Sequence, residues 1–118
     1  MEGIRKFLIV DDDTLFLDLL AQALRKRGHI VTTASGVQEA KNAIMADKFS
    51  LVCSDIRMAN GTGFELLDYI RTSFAELPVI IMSSYLTCED RFNARMLRAF
   101  WVEKTDKNLV DIIADYKE

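Results

Sequence analysis

Short apolar runs alternate with longer amphipathic segments along the chain. The compact runs 6–10, 51–53, 79–82 and 100–102 are each bounded by charged or turn-forming residues. Runs of this kind are typical of strands buried on both faces, as in a parallel sheet covered by helices. The run 29–33 is less apolar and richer in β-branched residues, so we predict a strand nearer to an edge of the sheet.

Between these runs the apolar residues follow the spacing of a helix. They recur every three or four residues, at Phe16, Leu19, Leu20, Ala23 and Leu24, then at Leu67, Ile70 and Phe74, and finally at Leu109, Ile112, Ile113 and Tyr116. Gly28 provides a C-terminal stop for the first helix. Three segments open with pairs in capping-box spacing, which are Ser35 with Gln38, Thr62 with Glu65, and Thr87 with Asp90.

Five strands that alternate with five helices predict a (βα)₅ domain, an α/β fold with an open, doubly wound parallel sheet between two layers of helices. In such sheets the functional crevice lies beyond the carboxyl ends of the strands, where the strand order reverses. The 118 residues are the usual size of one domain, so we expect a single domain over 1–118.

Composition narrows the class of protein. The net charge of −3 argues against direct nucleic-acid binding by this segment. No secretory signal and no membrane-length apolar run is visible, so we expect a cytoplasmic protein. Cys53 and Cys88 are too few and too far apart for a disulfide framework or a zinc site, and Cys53 is expected to be a small core residue.

Polar residues follow the strands at the edge where the crevice is expected. They are Asp11, Asp12 and Asp13 after the first strand, Asp55 after the third, Ser83 and Ser84 after the fourth, and Lys104 after the fifth. Two carboxylates about 4 Å apart repel by about 4 kcal/mol at an effective dielectric constant of 20, so such a cluster needs shared protons or a cation. Oxygen ligands alone favour a hard ion such as Mg²⁺. A magnesium site beside a lysine and a hydroxyl is typical of phosphoryl transfer.

Each of these residues also has an ordinary structural interpretation. An aspartate after a strand is often the N-cap of the next helix, which is the role that we favour for Asp13. Alone, Asp55 could be a turn residue, Ser83 a loop hydroxyl and Lys104 a solvated charge. The combination is informative because each residue falls at the same end of a different strand.

Four motifs, in order, resemble the receiver domain of bacterial two-component response regulators (CheY-like) over 6–116. They are the acidic segment 8–13, the segment 51–58 followed by Gly61 and Gly63, the segment 78–84 and the segment 101–104. The resemblance implies the flavodoxin-like strand order 2-1-3-4-5. It also implies a signalling switch whose chemistry is self-directed, rather than an enzyme acting on other molecules.

The resemblance implies a role for each acidic residue. Asp55 would accept a phosphoryl group from a sensor histidine kinase or a histidine phosphotransfer protein. Asp11, Asp12, Asp55 and the backbone carbonyl of Arg57 would hold Mg²⁺. The side chains of Arg57 and Tyr85 would tune the rate at which water removes the phosphoryl group.

The remaining implied roles concern switching. Lys104 would pair with a phosphoryl oxygen, and the Ser83 hydroxyl would reorient to bond another. Trp101 stands at the position of an aromatic switch residue. The surface of the fourth helix, fifth strand and fifth helix would then control an output partner, either a separate protein or an effector domain after Glu118.

The chain departs from the family pattern at a few positions. Ala59 and Thr105 stand where the family often has prolines, the second of them preceded by a cis bond. A cis bond before a residue other than proline costs about 2.5–4 kcal/mol, so we expect the Lys104–Thr105 bond to be trans. The segment 97–99 replaces the usual Gly-Ala pair, and Trp101 is bulkier than the usual Tyr or Phe.

Arginines at 91, 95 and 98 recur at helical spacing opposite Phe92 and Met96. They form either a solvated helix face or a basic stripe for an acidic partner.

Two other functions fit part of the sequence. A magnesium phosphatase with an aspartate nucleophile would use Asp11 and Asp13, but the expected hydroxyl two residues later is Leu15 and the chain has no room for a cap domain. A receiver-like interaction module that works without phosphorylation is conceivable because the prolines are missing. Labelling by a small phosphodonor separates these alternatives.

Overall fold

The computed structural model describes residues 3–117, which form a parallel sheet with helices on both faces. The strands are β1 (Lys6–Val10), β2 (Ile30–Ala34), β3 (Leu51–Asp55), β4 (Arg57–Met58), β5 (Gly61–Thr62), β6 (Val79–Ser83) and β7 (Phe100–Glu103). The helices are α1 (Thr14–Lys26), α2 (Val37–Ala46), α3 (Gly63–Ser73), α4 (Cys88–Met96) and α5 (Leu109–Ala114). The five-stranded sheet has the order β2-β1-β3-β6-β7, which confirms the predicted order 2-1-3-4-5.

The centre of the sheet is apolar because helices cover both of its faces. In β1, Leu8 and Val10 pack into a core with α2 and α3, while Phe7 and Ile9 pack into a second core with α1 and α5. All residues of β3 and β6 are buried. These continuous apolar strands are the ones that the sequence predicted to be buried on both faces.

Strand β7 differs from the prediction. It lies at an edge of the sheet and pairs only with β6 among the described strands. Phe100 is 44% exposed and Trp101 is half-buried, whereas Val102 is buried. The prediction of burial on both faces was wrong for this run because an edge strand in this sheet is covered incompletely.

The buried face of α1 is also offset from the predicted one. Leu17, Leu20, Ala21 and Leu24 are buried, whereas Leu19 is 58% exposed. Two overlapping apolar stripes run along this helix, and packing against the sheet selects one of them. Gly28, with φ +89°, follows the helix, and its N–H donates to Arg25 O, as expected of a C-terminal stop.

Helix caps follow the sequence at three of the four N-termini for which a cap was predicted. The side chain of Asp13 accepts from Phe16 N, and that of Thr62 accepts from Glu65 N. Thr87 and Asp90 form a complete capping box at α4. The prediction for α2 was wrong: its N-cap is Gly36, and the preceding Ser35 bonds Glu39 instead of Gln38.

The last two helices are shorter than predicted. Helix α4 ends at Met96, so Arg98 lies beyond it in a left-handed conformation with φ 58° and is not part of a helical stripe. Phe92 and Met96 are 61% and 64% exposed, so they do not face the core. Helix α5 ends at Ala114, and Tyr116 packs beyond it, with its ring 5.6 Å from that of Phe100.

The two cysteines are not joined to each other. Cys53 is buried in the core, as predicted, and Cys88 is exposed; both are free thiols. Within residues 3–117, no helix has the length and apolar character needed to cross a membrane.

Candidate functional site

Three aspartates meet at the carboxyl end of the sheet. Asp55 ends β3, whereas Asp11 and Asp12 follow β1, which pairs with β3 in parallel. One carboxylate oxygen from each residue lies within 4.8 Å of the other two. Asp11 is fully buried, Asp55 is 7% exposed, and Asp12 is exposed. Parallel pairing of the two strands therefore produces the acidic cluster that the sequence predicted.

Lys104 reaches this cluster from the end of β7. Its Nζ lies 2.6 Å from Asp11 Oδ2 and 3.4 Å from Asp55 Oδ2. Its backbone N–H donates to Ser83 O at 2.8 Å, which ties the loop after β7 to the end of β6. No peptide bond within residues 3–117 is cis, so the Lys104–Thr105 bond is trans, as expected, and the ammonium group still reaches the carboxylates.

The charges of the cluster shift the acidity of its members. Burial raises the pKa of the Asp55 carboxyl, the neighbouring Asp11 charge raises it further, and the Lys104 ammonium opposes both. Burial alone would lower the pKa of Lys104. The hydrogen bond that Lys104 donates to Asp11 and the negative charges of both aspartates outweigh burial, so the pKa of Lys104 is raised. Lys104 is therefore held as a cation beside two carboxylates.

A ring also contacts the ammonium group. Lys104 Nζ lies 4.7 Å from the ring centroid of Phe16, on the first turns of α1. The face of an aromatic ring attracts a cation at this distance. The spacing of Phe16 in the sequence assigned it only to an apolar helix face, so this contact was missed.

Ser83 lies at the wall of the same cleft, although its hydroxyl is turned to its own loop. Ser83 Oγ donates to Tyr85 O at 2.9 Å and accepts from Tyr85 N at 3.3 Å. The cleft has a volume of about 390 Å³ and is lined by Asp55, Arg57, Ser83, Ser84, Tyr85, Thr87 and Lys104. Tyr85 itself is 72% exposed.

The backbone beneath Asp55 is tightly packed. Its carbonyl oxygen accepts a hydrogen bond from Ser54 Oγ at 2.9 Å. A Cβ atom on Gly63, the first residue of α3, would lie closer to this oxygen than real Cβ contacts do. Gly63 N donates to Ile56 O at 2.7 Å. Only a glycine lets α3 begin this close to β3, which explains the glycine in the sequence motif.

The two residues after Asp11 are fixed by hydrogen bonds. Asp11 Oδ1 accepts from Asp13 N at 2.9 Å, and Asp12 Oδ2 accepts from Ala59 N at 2.8 Å. Asp13 caps α1, as its N-cap interpretation predicted, and is not one of the three aspartates whose oxygens cluster. Asp12 thus connects the loop after β1 to the turn between β4 and β5.

The donor set suits a hard divalent cation. The three aspartates offer only oxygen, which is what Mg²⁺ prefers. Asp11 Oδ2 is buried and has the ammonium of Lys104 2.6 Å away. Three clustered carboxylates beside a single ammonium group leave an excess of negative charge, which a divalent cation would neutralise.

Arg57 forms an ion pair with Asp90 of α4. Its Nη2 lies 3.1 Å from Asp90 Oδ1 and 3.2 Å from Oδ2. The sequence placed Asp90 only in a capping box, so its second role was not predicted. Nothing in the local pattern indicates this pair, because the two residues are 33 positions apart.

Trp101 lies outside the cluster. Its side chain is half-buried, and its ring stacks with that of Phe100, with 6.5 Å between the ring centroids. The guanidinium carbon of Arg95 lies 5.9 Å from the centroid of the Trp101 ring. It therefore belongs to the exposed α4–β7 surface rather than to the acidic site.

Comparison with known proteins agrees with this geometry. Residues 7–111 match the model of the response regulator receiver domain. The chain belongs to the response regulator receiver family. The acid tolerance regulatory protein ActR of Rhizobium meliloti (strain 1021) is 32% identical over 112 residues, which are 93% of this chain and 57% of that protein.

Solved receiver structures share the fold. A CheY-like receiver domain protein from Methanospirillum hungatei JF-1 has 27% identity and a TM-score of 0.89, covering 96% of this chain and 93% of its own. The response regulator TrrA of Thermotoga maritima, described in complex with Mg(2+)-BeF, has 22% identity and a TM-score of 0.83, covering 95% of this chain and 98% of its own. The chain spans 17–57% of the length of the first three curated relatives that it matches.

Proposed function

We propose that this receiver domain, residues 1–118, accepts a phosphoryl group on Asp55 and acts as a signalling switch. The observation that carries the proposal is the convergence of Asp55 with Asp11, Asp12 and Lys104 at one end of the sheet. This arrangement supplies a nucleophile, a cation and oxygen ligands in one partly open cleft.

The chemistry follows from the positions of these groups. A carboxylate oxygen of Asp55 attacks phosphorus, so that a P–O bond forms while the P–N bond of a phosphohistidine donor breaks and the imidazole leaves with its electron pair. Negative charge develops on the phosphoryl oxygens during transfer, and fixed cations lower its energy. Lys104 is the cation of this chain best placed for that role, because its ammonium already lies 3.4 Å from Asp55 Oδ2.

Mg²⁺ is the cofactor that the donor set supports. Asp11, Asp12, Asp55 and the backbone carbonyl of Arg57 would hold it. When bound, Mg²⁺ would neutralise charge on the carboxylates and on the phosphoryl oxygens. The magnesium complex of TrrA, which shares this fold, supports the assignment.

Switching is proposed to begin at Ser83. Its hydroxyl donates to the neighbouring Tyr85 carbonyl and could turn instead to a phosphoryl oxygen of Asp55, since both residues line one cleft. Movement of that loop would reach Trp101 and the α4–β7–α5 surface. The phosphodonor would be a cytoplasmic histidine kinase or phosphotransfer protein, and the output partner would be a separate protein or an effector domain.

Intact mass after incubation with acetyl phosphate and Mg²⁺ tests the proposal. We expect one added phosphoryl group on the wild type, none on Asp55→Asn, and none after chelation of the metal. Asp13→Asn is the matched control, because Asn can still cap α1 while the chain loses one carboxylate beside the cluster. Its labelling should equal that of the wild type.

Two results of the labelling experiment would contradict the proposal. A wild type that stays unlabelled while a known receiver is labelled would refute the proposal and favour an interaction module that works without phosphorylation. Equal labelling of the wild type and Asp55→Asn would place the modification on another residue.

A further inference from the structure

Arg57 and Asp90 connect the strand of the proposed phosphoacceptor to the start of α4. Arg57 lies two residues after Asp55, and Asp90 is the third residue of α4. One guanidinium nitrogen of Arg57 contacts both carboxylate oxygens of Asp90, at 3.1 and 3.2 Å. The helix next to the cleft is therefore tied to the segment that carries Asp55.

Asp90 is buried and hydrogen-bonded within the first turn of α4. Its side chain is only 6% exposed, and its Oδ2 also accepts from Thr87 N at 3.0 Å. Thr87 Oγ1 accepts from Asp90 N at 3.0 Å, which completes the capping box. Although burial alone would raise the pKa of Asp90, hydrogen bonds from Thr87 and Arg57 lower it, so the carboxylate stays ionised.

Arg57 is the exposed member of the pair. Its side chain is 61% exposed, and it lines the cleft together with Asp55 and Lys104. A guanidinium has several donors and binds both carboxylates and phosphate groups. Any phosphoryl group on Asp55 would enter the cleft whose wall holds this cation.

We infer that Asp90 is a positioning residue for Arg57: it holds the guanidinium on α4, and a phosphoryl group on Asp55 competes with Asp90 for it. This inference rests on the proposed phosphorylation of Asp55. Phosphorylation then weakens the Arg57–Asp90 ion pair and loosens the first turn of α4. The coupling is reciprocal, so an intact pair lowers the affinity of the site for a phosphoryl group.

Removing the Asp90 charge should therefore strengthen binding of a phosphoryl analogue. The probe is beryllofluoride with Mg²⁺, titrated against fluorescence of Trp101, the single tryptophan of the chain. For Asp90→Asn we expect affinity about threefold to tenfold higher, within the range measured for coupling between contacting groups. Asparagine keeps an oxygen that can accept from Thr87 N, so the cap is retained in part.

Two further variants separate the ion pair from other effects. Glu89→Gln is the matched control, because Glu89 is an exposed acidic residue in the same first turn of α4. It removes the same charge from the helix terminus and should leave affinity unchanged. In an Arg57→Gln background, which preserves the backbone carbonyl, Asp90→Asn should have no effect.

Several results of the beryllofluoride titrations would overturn the inference. Equal effects of Asp90→Asn and Glu89→Gln would mean that only the charge at the helix terminus matters, which overturns the inference. An Asp90→Asn effect that persists without Arg57, or no effect at all, would overturn it too. A wild type that binds no beryllofluoride would overturn the proposed function and this inference together, whereas normal binding with an uncoupled pair would overturn only the inference.

Discussion

Replacing Gly63 by alanine tests how closely α3 packs beneath the proposed phosphoacceptor. A Cβ at this position would lie within 3.0 Å of the Asp55 carbonyl oxygen, and near Ser54 Oγ at 3.2 Å. The first of these atoms belongs to the backbone of a buried strand and cannot rotate away. Helix α3 or the end of β3 must therefore move.

The magnitude follows from two opposing effects. Forcing an extra carbon into a packed site costs about 1–3 kcal/mol, and contact with a fixed backbone atom favours the upper end. Alanine within a helix recovers up to about 1 kcal/mol relative to glycine. The net loss in free energy of unfolding is then about 2 kcal/mol. Because Asp55 carries the strained carbonyl, acetyl-phosphate labelling should slow as well.

Urea unfolding followed by Trp101 fluorescence measures this loss. Gly36→Ala is the matched control, because Gly36 also lies at a helix N-terminus but a Cβ there meets nothing within 4 Å. Its loss should be limited to that of a weaker N-cap, about 1 kcal/mol or less. A Gly63→Ala chain as stable as the wild type, or no less stable than Gly36→Ala, would refute the packing argument.

Three other predictions follow from the structure. The Arg71 side chain donates hydrogen bonds to the carbonyl oxygens of Leu97, Leu77 and Arg98 at 2.7, 2.7 and 3.0 Å. Arg71→Ala should therefore lower the free energy of unfolding, measured in urea, by about 2 kcal/mol, and an unchanged urea midpoint would contradict this. Burial raises the pKa of the Cys53 thiol, whereas Cys88 is exposed. An aromatic disulfide reagent should therefore modify only Cys88 in the native chain and both thiols after denaturation, and two fast-reacting thiols in the native chain would disprove this. Phe16→Leu removes the ring beside Lys104 and should slow acetyl-phosphate labelling about twofold to tenfold, whereas Phe16→Tyr should keep the rate. Equal labelling rates for the wild type and Phe16→Leu would show that the ring does not assist Lys104.

Much of the fold could be predicted from local pattern. The five main strands lie where apolar runs were found, with ends that differ by at most two residues. The strand order was confirmed, although it came from resemblance to a family rather than from periodicity. Caps such as Asp13 were predictable because each cap is made by atoms a few residues apart. Ser35 was misassigned because Gly36 adjoins it and the pattern tolerates either start.

The site was predictable in its members but not in its contacts. Asp11 and Asp55 were expected to meet, since residues at the carboxyl ends of neighbouring parallel strands share one edge of the sheet, and Lys104 was expected at that same edge. The distances between them, and the direction in which the Ser83 hydroxyl points, depend on how loops from separate strands pack. The roles assigned to these residues remain predictions for the labelling experiment.

The sequence by itself determined the alternation of strands and helices, most caps and the set of acidic and basic groups at one end of the sheet. These properties depend on hydrogen bonds and apolar spacing within about one turn or one strand. Only the tertiary structure decided which stripe of α1 is buried, that β7 is a half-exposed edge, and that Phe16 lies beside Lys104 and Arg57 beside Asp90. Such contacts join residues far apart in the chain, and their free energy depends on the packing of whole elements, which no local pattern records.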